Sequence, residues 1–597
     1  MTPPPPRTRL KLGPLRAVTT LRALILLTLA GLILWTALSW GRRGAPQADI
    51  TMSPAEPAPE GPVLDQSDKF SASGTREGRP AFDLAAQTVT GFEGDKKRLE
   101  SVNLTVHEVE GGSVQVTSQE GQFDPGARRA QLSKDVAIRT PDGLSLETGN
   151  LFYDSDRDMI YTGDPLRFEL GQVRGTGQGM NYLVDERRIK IASKVDLTIA
   201  VNDGGPPARI RAGSLVASLA DNSAVFTENA VLERGADRLT GNYLRLVLDE
   251  KREQVREIRS FGDVVVTLGP DAEGKSSEMR ADSLVLAVGP DNALKTAEAS
   301  GGCRVVSGPY TTNSRTAFFD RTADRLQLRG DPVVLTDTDR VTAQEIDLRP
   351  AKQTLEARGD VRSVSMRQSS NVPGFAAVGA VSFQAARLLA EQTEKRATYD
   401  GGARAWQEGQ SLQADTIIVD QGAQQIRAAG NVMSRFTEKP SPRDPAGRPV
   451  ATSVTARRLT VDDASGKARY EEDARLVRPD ATLTGSTITL ETRATGKRRE
   501  LQRVLANGSV SARHAGAFAT ASAAEYLPDR QTLELTDENG LAEVVDSATG
   551  RSMKGRSLTY DLAGDRVLTE AAAGARTWIT MTPQGGTKPV EPPPSRH

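Results

Sequence analysis

Short apolar runs that alternate with polar residues recur along most of this chain. Segment 244–249, LRLVLD, places a leucine at every second position, and segment 487–491, TITLE, does the same with Ile488 and Leu490. A period of two puts one set of side chains on one face of a β-strand. No stretch after the first 40 residues shows a convincing helical period, so the pattern predicts many strands with one apolar face each.

A pair of small or polar residues marks the chain about every 34 residues. Examples are the pairs within FGDVVV, RGDPVV and AGNVMS, and we interpret each pair as a turn before a new strand. The second residue of each pair is Asp135, Asp164, Lys194, Asn229, Asp263, Cys303, Asp331, Asp360, Gly402, Asn431, Asp473, Ser509, Leu541 or Ala575.

A second strand stands between successive marks, as in ADSLVLAV and LQADTIIVD, and its trailing acidic residue begins a turn. Each repeat is therefore two long strands, antiparallel because a short turn joins them. One repeat cannot bury its own apolar face, so neighbouring repeats must stack. At about 4.8 Å per strand, the predicted all-β array of 14 repeats extends on the order of 130 Å.

The N-terminus carries an apolar run without charges, residues 23–40. As a helix it is about 27 Å long, close to the thickness of a bilayer core. Five basic residues precede it and two follow, which predicts a cytoplasmic segment 1–22, a single transmembrane anchor over 23–40 and an exported remainder. The alternative is a cleaved signal peptide, for which Ala37-Leu-Ser39 offers a site.

Segments rich in proline, alanine and glycine divide the exported part. Residues 44–63 read as a linker, 437–453 as a loop and 583–597 as a disordered tail. The strand pattern then predicts a first domain over 64–165 and β-repeats over 166–436 and 454–582.

The chain contains few of the residue types that form catalytic or metal sites. The chain has 76 basic and 77 acidic residues, so it shows no electrostatic signature of nucleic-acid binding. One cysteine and three histidines argue against a disulfide framework and against a Cys-cluster metal site. We expect no enzyme activity, no metal site and no cofactor.

Several local motifs are better explained by turns. Residues 269–276, GPDAEGKS, match a P-loop pattern, but the sequence that follows reads as a strand rather than the helix a phosphate site needs. Asp154, Asp156 and Asp158 begin like a calcium loop, yet Met159 occupies the glycine position, so we expect a solvated turn. The two Arg-Gly-Asp tripeptides fall on the repeat marks. Cys303 falls there too, and we expect a partly buried residue rather than a nucleophile.

The segment 70–106, FSASGTREGRPAFDLAAQTVTGFEGDKKRLESVNLTV, follows the linker and the apolar run. It resembles the periplasmic domain of LptC, a lipopolysaccharide-export protein, and the later ADxLxxD…AxGDV cadence resembles the OstA-like repeats of LptA and of the LptD N-terminal domain. The resemblance implies an open, V-shaped β-jellyroll that holds lipid A acyl chains, and an inner-membrane ABC transporter as partner. It also implies that the protein is a single-pass protein of the inner membrane whose bulk is periplasmic. The chain is much longer than a typical LptC.

A stacked array exposes one unpaired strand at each end, a template for strand addition. We therefore expect LptA/LptD-like proteins to pair with an edge strand. The predicted groove-lining positions are the alternating apolar residues Leu244, Leu246, Leu248, Val264, Val266, Leu268, Leu284, Leu286, Ile488 and Leu490.

Each of these residues is equally compatible with a closed core. The sequence therefore leaves three functions open. The first is a bridge that carries lipopolysaccharide toward the outer membrane, the second is a phospholipid bridge, and the third is a structural or adhesive rod without lipid.

Overall fold

The computed structural model describes most of the chain between residues 62 and 580. The described ranges are 62–108, 112–141, 143–200, 206–218, 222–248, 255–270, 274, 276–289, 294–307, 310–365, 375, 379–438, 450–495, 498–538, 540–547, 550–562, 564, 566–568 and 578–580. All regular structure in these ranges is β-strand, which confirms the predicted all-β class.

The predicted membrane helix 23–40 and the tail 583–597 lie outside these ranges, as do residues 439–449 of the predicted loop 437–453. The first two and the last four residues of that predicted loop belong to strands. Across the described residues, we find no helix with the length and apolar character needed to span a bilayer.

The described strands belong to two compact units. Unit 1 comprises the residues up to Pro332 together with Asp347–Lys352, and unit 2 comprises Val333–Ile346 and the residues from Gln353 onward. The strands before residue 333 are β1 (Val63–Arg76), β2 (Arg79–Phe92), β3 (Lys97–His107), β4 (Ser113–Asp124), β5 (Arg129–Arg139), β6 (Ser145–Asp154), β7 (Met159–Leu170), β8 (Val173–Leu183), β9 (Arg188–Ile199), β10 (Ala208–Ala212), β11 (Ser214–Ser218), β12 (Ser223–Arg234), β13 (Asp237–Leu248), β14 (Val255–Leu268), β15 (Ser277–Val288), β16 (Leu294–Ser307), β17 (Tyr310–Asp320) and β18 (Arg325–Arg329).

The remaining strands follow in chain order. They are β19 (Val333–Leu335), β20 (Asp339–Thr342), β21 (Glu345–Arg349), β22 (Thr354–Ser365), β23 (Val381–Glu391), β24 (Arg396–Gln407), β25 (Gln410–Asp420), β26 (Gln425–Glu438), β27 (Val450–Asp462), β28 (Lys467–Val477), β29 (Ala481–Thr495), β30 (Arg498–His514), β31 (Ala517–Leu527), β32 (Thr532–Thr536), β33 (Ala542–Asp546), β34 (Ser552–Gly555), β35 (Ser557–Asp561), β36 (Arg566–Leu568) and β37 (Trp578–Thr580).

Within each unit, strands adjacent in sequence pair antiparallel. In unit 1 this holds from β1 to β9 and from β12 to β18, while β10 and β11 both lie between β9 and β12 as two halves of one strand. In unit 2 it holds from β22 to β31, after which β32 and β33 both pair with β31. These pairings confirm the predicted two-stranded antiparallel repeat.

Most of the repeat marks lie in the middle of strands. Gly262 and Asp263 interrupt β14 with φ angles of 75° and 50°, and the register with β15 shifts at this point. Gly359 and Asp360 interrupt β22 in the same way. The prediction that each mark is a turn before a new strand is therefore wrong, because two successive left-handed residues form a β-bulge here. Asp331 and Leu541 do stand between strands, and Ala575 lies outside the described residues.

The true turns follow the trailing acidic residues, as predicted. The Asp320 carboxylate accepts the backbone N–H of Thr322 at 2.8 Å, and Asp420 accepts that of Ala423 at 2.8 Å. Such side-chain caps satisfy turn amides that the strand ladders leave unpaired.

The bulges divide the long strands into two arms. Arm 1 consists of the strand segments that pair, directly or through neighbouring strands, with residues 255–261 of β14 in unit 1 and with residues 354–358 of β22 in unit 2. Arm 2 comprises the segments in register with β14 residues 264–268, or with β22 residues 361–365. On both arms buried side chains alternate with exposed ones, so the core of each unit lies between the two arms.

Two of the local motifs behave as expected in part. The P-loop-like segment connects antiparallel strands β14 and β15, and the strand prediction that argued against a phosphate site is confirmed by β15. The acidic segment between β6 and β7 is a turn, but it is solvated only in part, since Asp156 is exposed whereas Asp154 and Asp158 are buried. Arg129 Nε lies 3.0 Å from Asp154, and Arg76, at the end of β1, lies 2.9 Å from Asp158.

Cys303 is buried beside the bulge of β16. Its Sγ–H donates to the carbonyl oxygen of Arg315 at 3.6 Å, and burial raises the pKa of the thiol. A thiol held protonated in this way is a poor nucleophile, in agreement with the sequence prediction.

Candidate functional site

An apolar groove lies between the two arms of unit 1. It encloses about 910 Å³, including space that is open to solvent. Its lining is Leu232, Arg234, Asp237, Arg238, Leu239, Ile258, Val266, Met279, Leu284, Leu286, Ala297, Ala299, Val305, Ala317, Phe319, Leu326 and Leu328.

The strand register organises the wall on arm 1 into two apolar rows. One row runs across neighbouring strands through Ile258, Leu286, Ala297, Phe319 and Leu326. The second row runs from Leu284 through Ala299 and Ala317 to Leu328. Because every second residue of a strand points inward, both rows face the interior without a polar interruption.

The wall on arm 2 is a third row, formed by Leu239, Val266, Met279 and Val305. It lies on the other side of the bulges from the first two rows. Since residues of both arms line one space, the groove is bounded by apolar side chains on two sides. The unbranched thioether of Met279 suits a wall that contacts flexible ligands.

Charged residues are confined to one end of the groove, at the hairpin between β12 and β13. Arg238 Nη1 lies 3.6 Å from a carboxylate oxygen of Glu233, and the Asp237 carboxylate accepts the backbone N–H of Gly269 at 2.9 Å. Arg234 is buried, and its Nε–H donates to the carbonyl oxygen of Pro206 at 3.3 Å. The groove is thus apolar along its length and polar at this end.

The predicted groove residues fall into three groups. Val266, Leu284 and Leu286 line the groove, and Val266 is the one that is only half-buried. Leu244, Leu246, Leu248, Val264 and Leu268 are buried in unit 1 beside it. Ile488 and Leu490 are buried in unit 2, where Ile488 is in register with Tyr470. The structure therefore does not bring all ten into one site.

Sequence reasoning missed Met279, Val305 and Phe319. The buried positions of β15 change phase between Ala281 and Leu284, where the register with its neighbours shifts. The alternation after this phase change predicts Leu284 and Leu286 as groove residues. Met279 lies before the change, in the other phase, and is therefore left out. The phase change itself was the available signal, because it marks where a strand passes from one arm to the other.

Two family models match the chain. The lipopolysaccharide-assembly, LptC-related model matches residues 24–200, and the LptA/(LptD N-terminal domain) LPS transport protein model matches residues 209–354 and 453–566. The first part of the chain is therefore similar to the LptC-related family, and most of the repeats that follow are similar to LptA and the LptD N-terminal domain. The LptC-like match includes the segment 70–106, and the groove lies within the first LptA/LptD-like match.

A solved structure is also similar to part of this chain. It is LptH from Pseudomonas aeruginosa, the LptA homologous periplasmic component of the lipopolysaccharide transport device. The two chains are 22% identical, the match covers 24% of this chain and 100% of LptH, and the TM-score is 0.20. No curated protein matches the chain.

Proposed function

We propose that this protein is a periplasmic bridge that carries lipopolysaccharide toward the outer membrane, with acyl chains held in the groove of unit 1. The observation that supports this most directly is the pair of uninterrupted apolar walls that enclose one open space. The LptC-like and LptA/LptD-like matches support lipopolysaccharide as the cargo class.

The free energy of burial explains why such a groove is useful. Transfer of a 12-carbon acyl chain from water to an apolar site is favourable by about 10 kcal/mol, at about 0.8 kcal/mol per CH₂. Free diffusion of such a lipid across the periplasm is therefore very slow. A groove in which successive positions are similarly apolar lets the chain advance without returning to water.

The remaining elements of the proposal concern the ends of the protein. Residues 23–40 would anchor it in the inner membrane, and an inner-membrane ABC transporter would supply the direction that a uniform groove lacks. The first described strand, β1, pairs with β2 on one side, and its residues Val63 and Leu64 are exposed. An exposed strand edge suits strand addition by an Lpt partner.

Photo-crosslinking in the full-length protein tests the cargo. A benzoylphenylalanine at Leu286 would face the groove, whereas the same probe at Val285 would point to the opposite face of β15. We expect a lipopolysaccharide adduct at Leu286 in cells and none at Val285.

Mass spectrometry of the adduct separates the alternatives. A phospholipid adduct at Leu286 would overturn lipopolysaccharide as the cargo. Equal yields at Leu286 and Val285 would contradict groove binding, and absence of any lipid adduct would favour a rod without cargo.

A further inference from the structure

One interior position recurs in every bulged repeat, the second residue before the bulge pair. We call it the pre-bulge position. From β12 to β30 it is occupied by Phe226, Ser260, Ala299, Leu328, Ala357, Tyr399, Ala428, Tyr470 and Ala506, and all nine are buried. The size of this side chain therefore changes from one repeat to the next while the backbone setting stays the same.

At Tyr399 the pre-bulge side chain crosses the interior of unit 2. Tyr399 belongs to arm 1, since it is in register with Leu388, whereas Ser363 and Phe383 are in register with each other on arm 2. The hydroxyls of Tyr399 and Ser363 are hydrogen-bonded at 2.8 Å. The Tyr399 ring stacks on Phe383 with centroids 4.5 Å apart and an interplanar angle of 7°. The two arms are thus in direct contact here.

Tyr470 repeats this arrangement one double repeat later. It lies on arm 1 in register with Leu459, and its hydroxyl is hydrogen-bonded to Ser434, which lies on arm 2 in register with Val454. Tyr470 and Ser434 are both buried. Each tyrosine pairs with the serine 36 positions before it, so the contact follows from the repeat.

Beside the groove of unit 1 the pre-bulge positions are occupied by Ser260, Ala299 and Leu328, and none of these three is a tyrosine. Ala299 lines the groove, and Ser260 is in register with the groove residue Leu284. Neither side chain is long enough to cross to the other arm. The space between the arms is therefore open at the groove of unit 1, whereas Tyr399 and Tyr470 cross it in unit 2.

We propose that the pre-bulge position controls where an acyl chain can enter, with Tyr399 and Tyr470 acting as constrictions that the chain passes only after their contacts with the serines break. This inference rests on the proposed function, because it concerns the path of the same cargo. Unit 1 then holds lipid at rest, and unit 2 admits it only during transport. Loss of one hydrogen bond that opposes entry should raise the occupancy of the constricted segment about fivefold.

The test compares photo-crosslinking at two sites in the full-length protein. One probe replaces Leu286 in unit 1, and the other replaces Leu412, which is buried on arm 2 of unit 2. We expect a strong lipid adduct at Leu286 and a weak one at Leu412. Tyr399→Phe, which removes only the hydroxyl, should raise the yield at Leu412 severalfold, and Tyr399→Ala should raise it further.

Matched variants distinguish a constriction from a general loosening of the fold. Thr398→Ala changes the neighbouring outward-facing residue and should leave the yield at Leu412 unchanged. Ser363→Ala should act like Tyr399→Phe. Hydrogen exchange of the β23–β25 amides identifies any variant whose effect comes from local unfolding.

The outcomes separate this inference from the proposed function. Absence of an adduct at Leu286 overturns the proposed function and this inference with it. An adduct at Leu286 together with an equal yield at Leu412 in the unmodified protein overturns the constriction alone. The same holds if Tyr399→Phe and Tyr399→Ala fold normally and leave Leu412 unlabelled.

Discussion

The steric fit at each bulge gives a prediction that can be worked out from the structure. Gly301 and Gly302 form the bulge of β16, with φ angles of 80° and 71°. A methyl group on Gly301 would overlap the Cβ and carboxylate of Asp282 on the facing strand, whereas one on Gly302 would meet no atom within 4 Å. The two substitutions therefore share the backbone strain and differ in the overlap.

The expected free energies of unfolding follow from this difference. A left-handed conformation costs a non-glycine residue about 1 kcal/mol or slightly more. Gly302→Ala should therefore destabilise the strand by about 1 kcal/mol. Displacement of Asp282 should add about 1 to 2 kcal/mol for Gly301→Ala, in the range of other overpacking substitutions.

A compensating substitution tests the cause. At the bulge of β12 the glycine and the larger residue exchange places. Glu228 occupies the first bulge position, and Gly213 faces it. Adding Asp282→Gly to Gly301→Ala copies that arrangement. It should recover most of the overlap cost, giving a coupling energy of about 1 kcal/mol or more in a double-mutant cycle.

Hydrogen exchange of the β15–β17 amides is the appropriate assay, because a repeat array opens locally rather than in one step. Gly301→Ala should lower the opening free energy of these amides more than Gly302→Ala does. Equal effects of the two substitutions, or no recovery with Asp282→Gly, would refute the steric reasoning.

Three further outcomes are expected. Burial raises the pKa values of Tyr399 and Tyr470 from 10.0 to about 12. Their contribution to stability is complete below pH 10 and is lost as the pH rises through 12, by about 3 kcal/mol each. Urea unfolding at pH 8 and pH 11 should therefore show a smaller alkaline loss in Tyr399→Phe than in the unmodified protein. Cys303 should react with a maleimide only after denaturant is added, and rapid labelling of the folded protein would contradict its burial. Arg76→Ala should lower stability at the end of β1 by about 2 to 3 kcal/mol, because it leaves Asp158 buried without this partner, and unchanged exchange of the β1 and β7 amides would count against that.

The alternation of apolar residues was enough to predict the strands and their antiparallel pairing. It is a local signal, since the pleat of a strand sends successive side chains to opposite faces whatever surrounds it. The turn-forming aspartates were predictable for the same reason, as Asp320 and Asp420 bond to amides two or three residues away.

The meaning of the Gly-Asp pairs was not predictable locally. Two left-handed residues serve a hairpin turn or a mid-strand bulge equally well, and the choice depends on which strand lies opposite. At Gly262 the pair forms a bulge rather than a turn, because β14 pairs with β15 on both sides of it.

The sequence by itself determined the class of fold, the repeat and the apolar faces, because each depends on residues close together in the chain. Only the tertiary structure decided which apolar residues line the open groove and which are packed in a closed core. Leu286 and Ile488 have the same local pattern, but Leu286 faces a groove and Ile488 is packed beside Tyr470. That difference arises from side chains that meet across two arms, a contact that no period along one strand encodes.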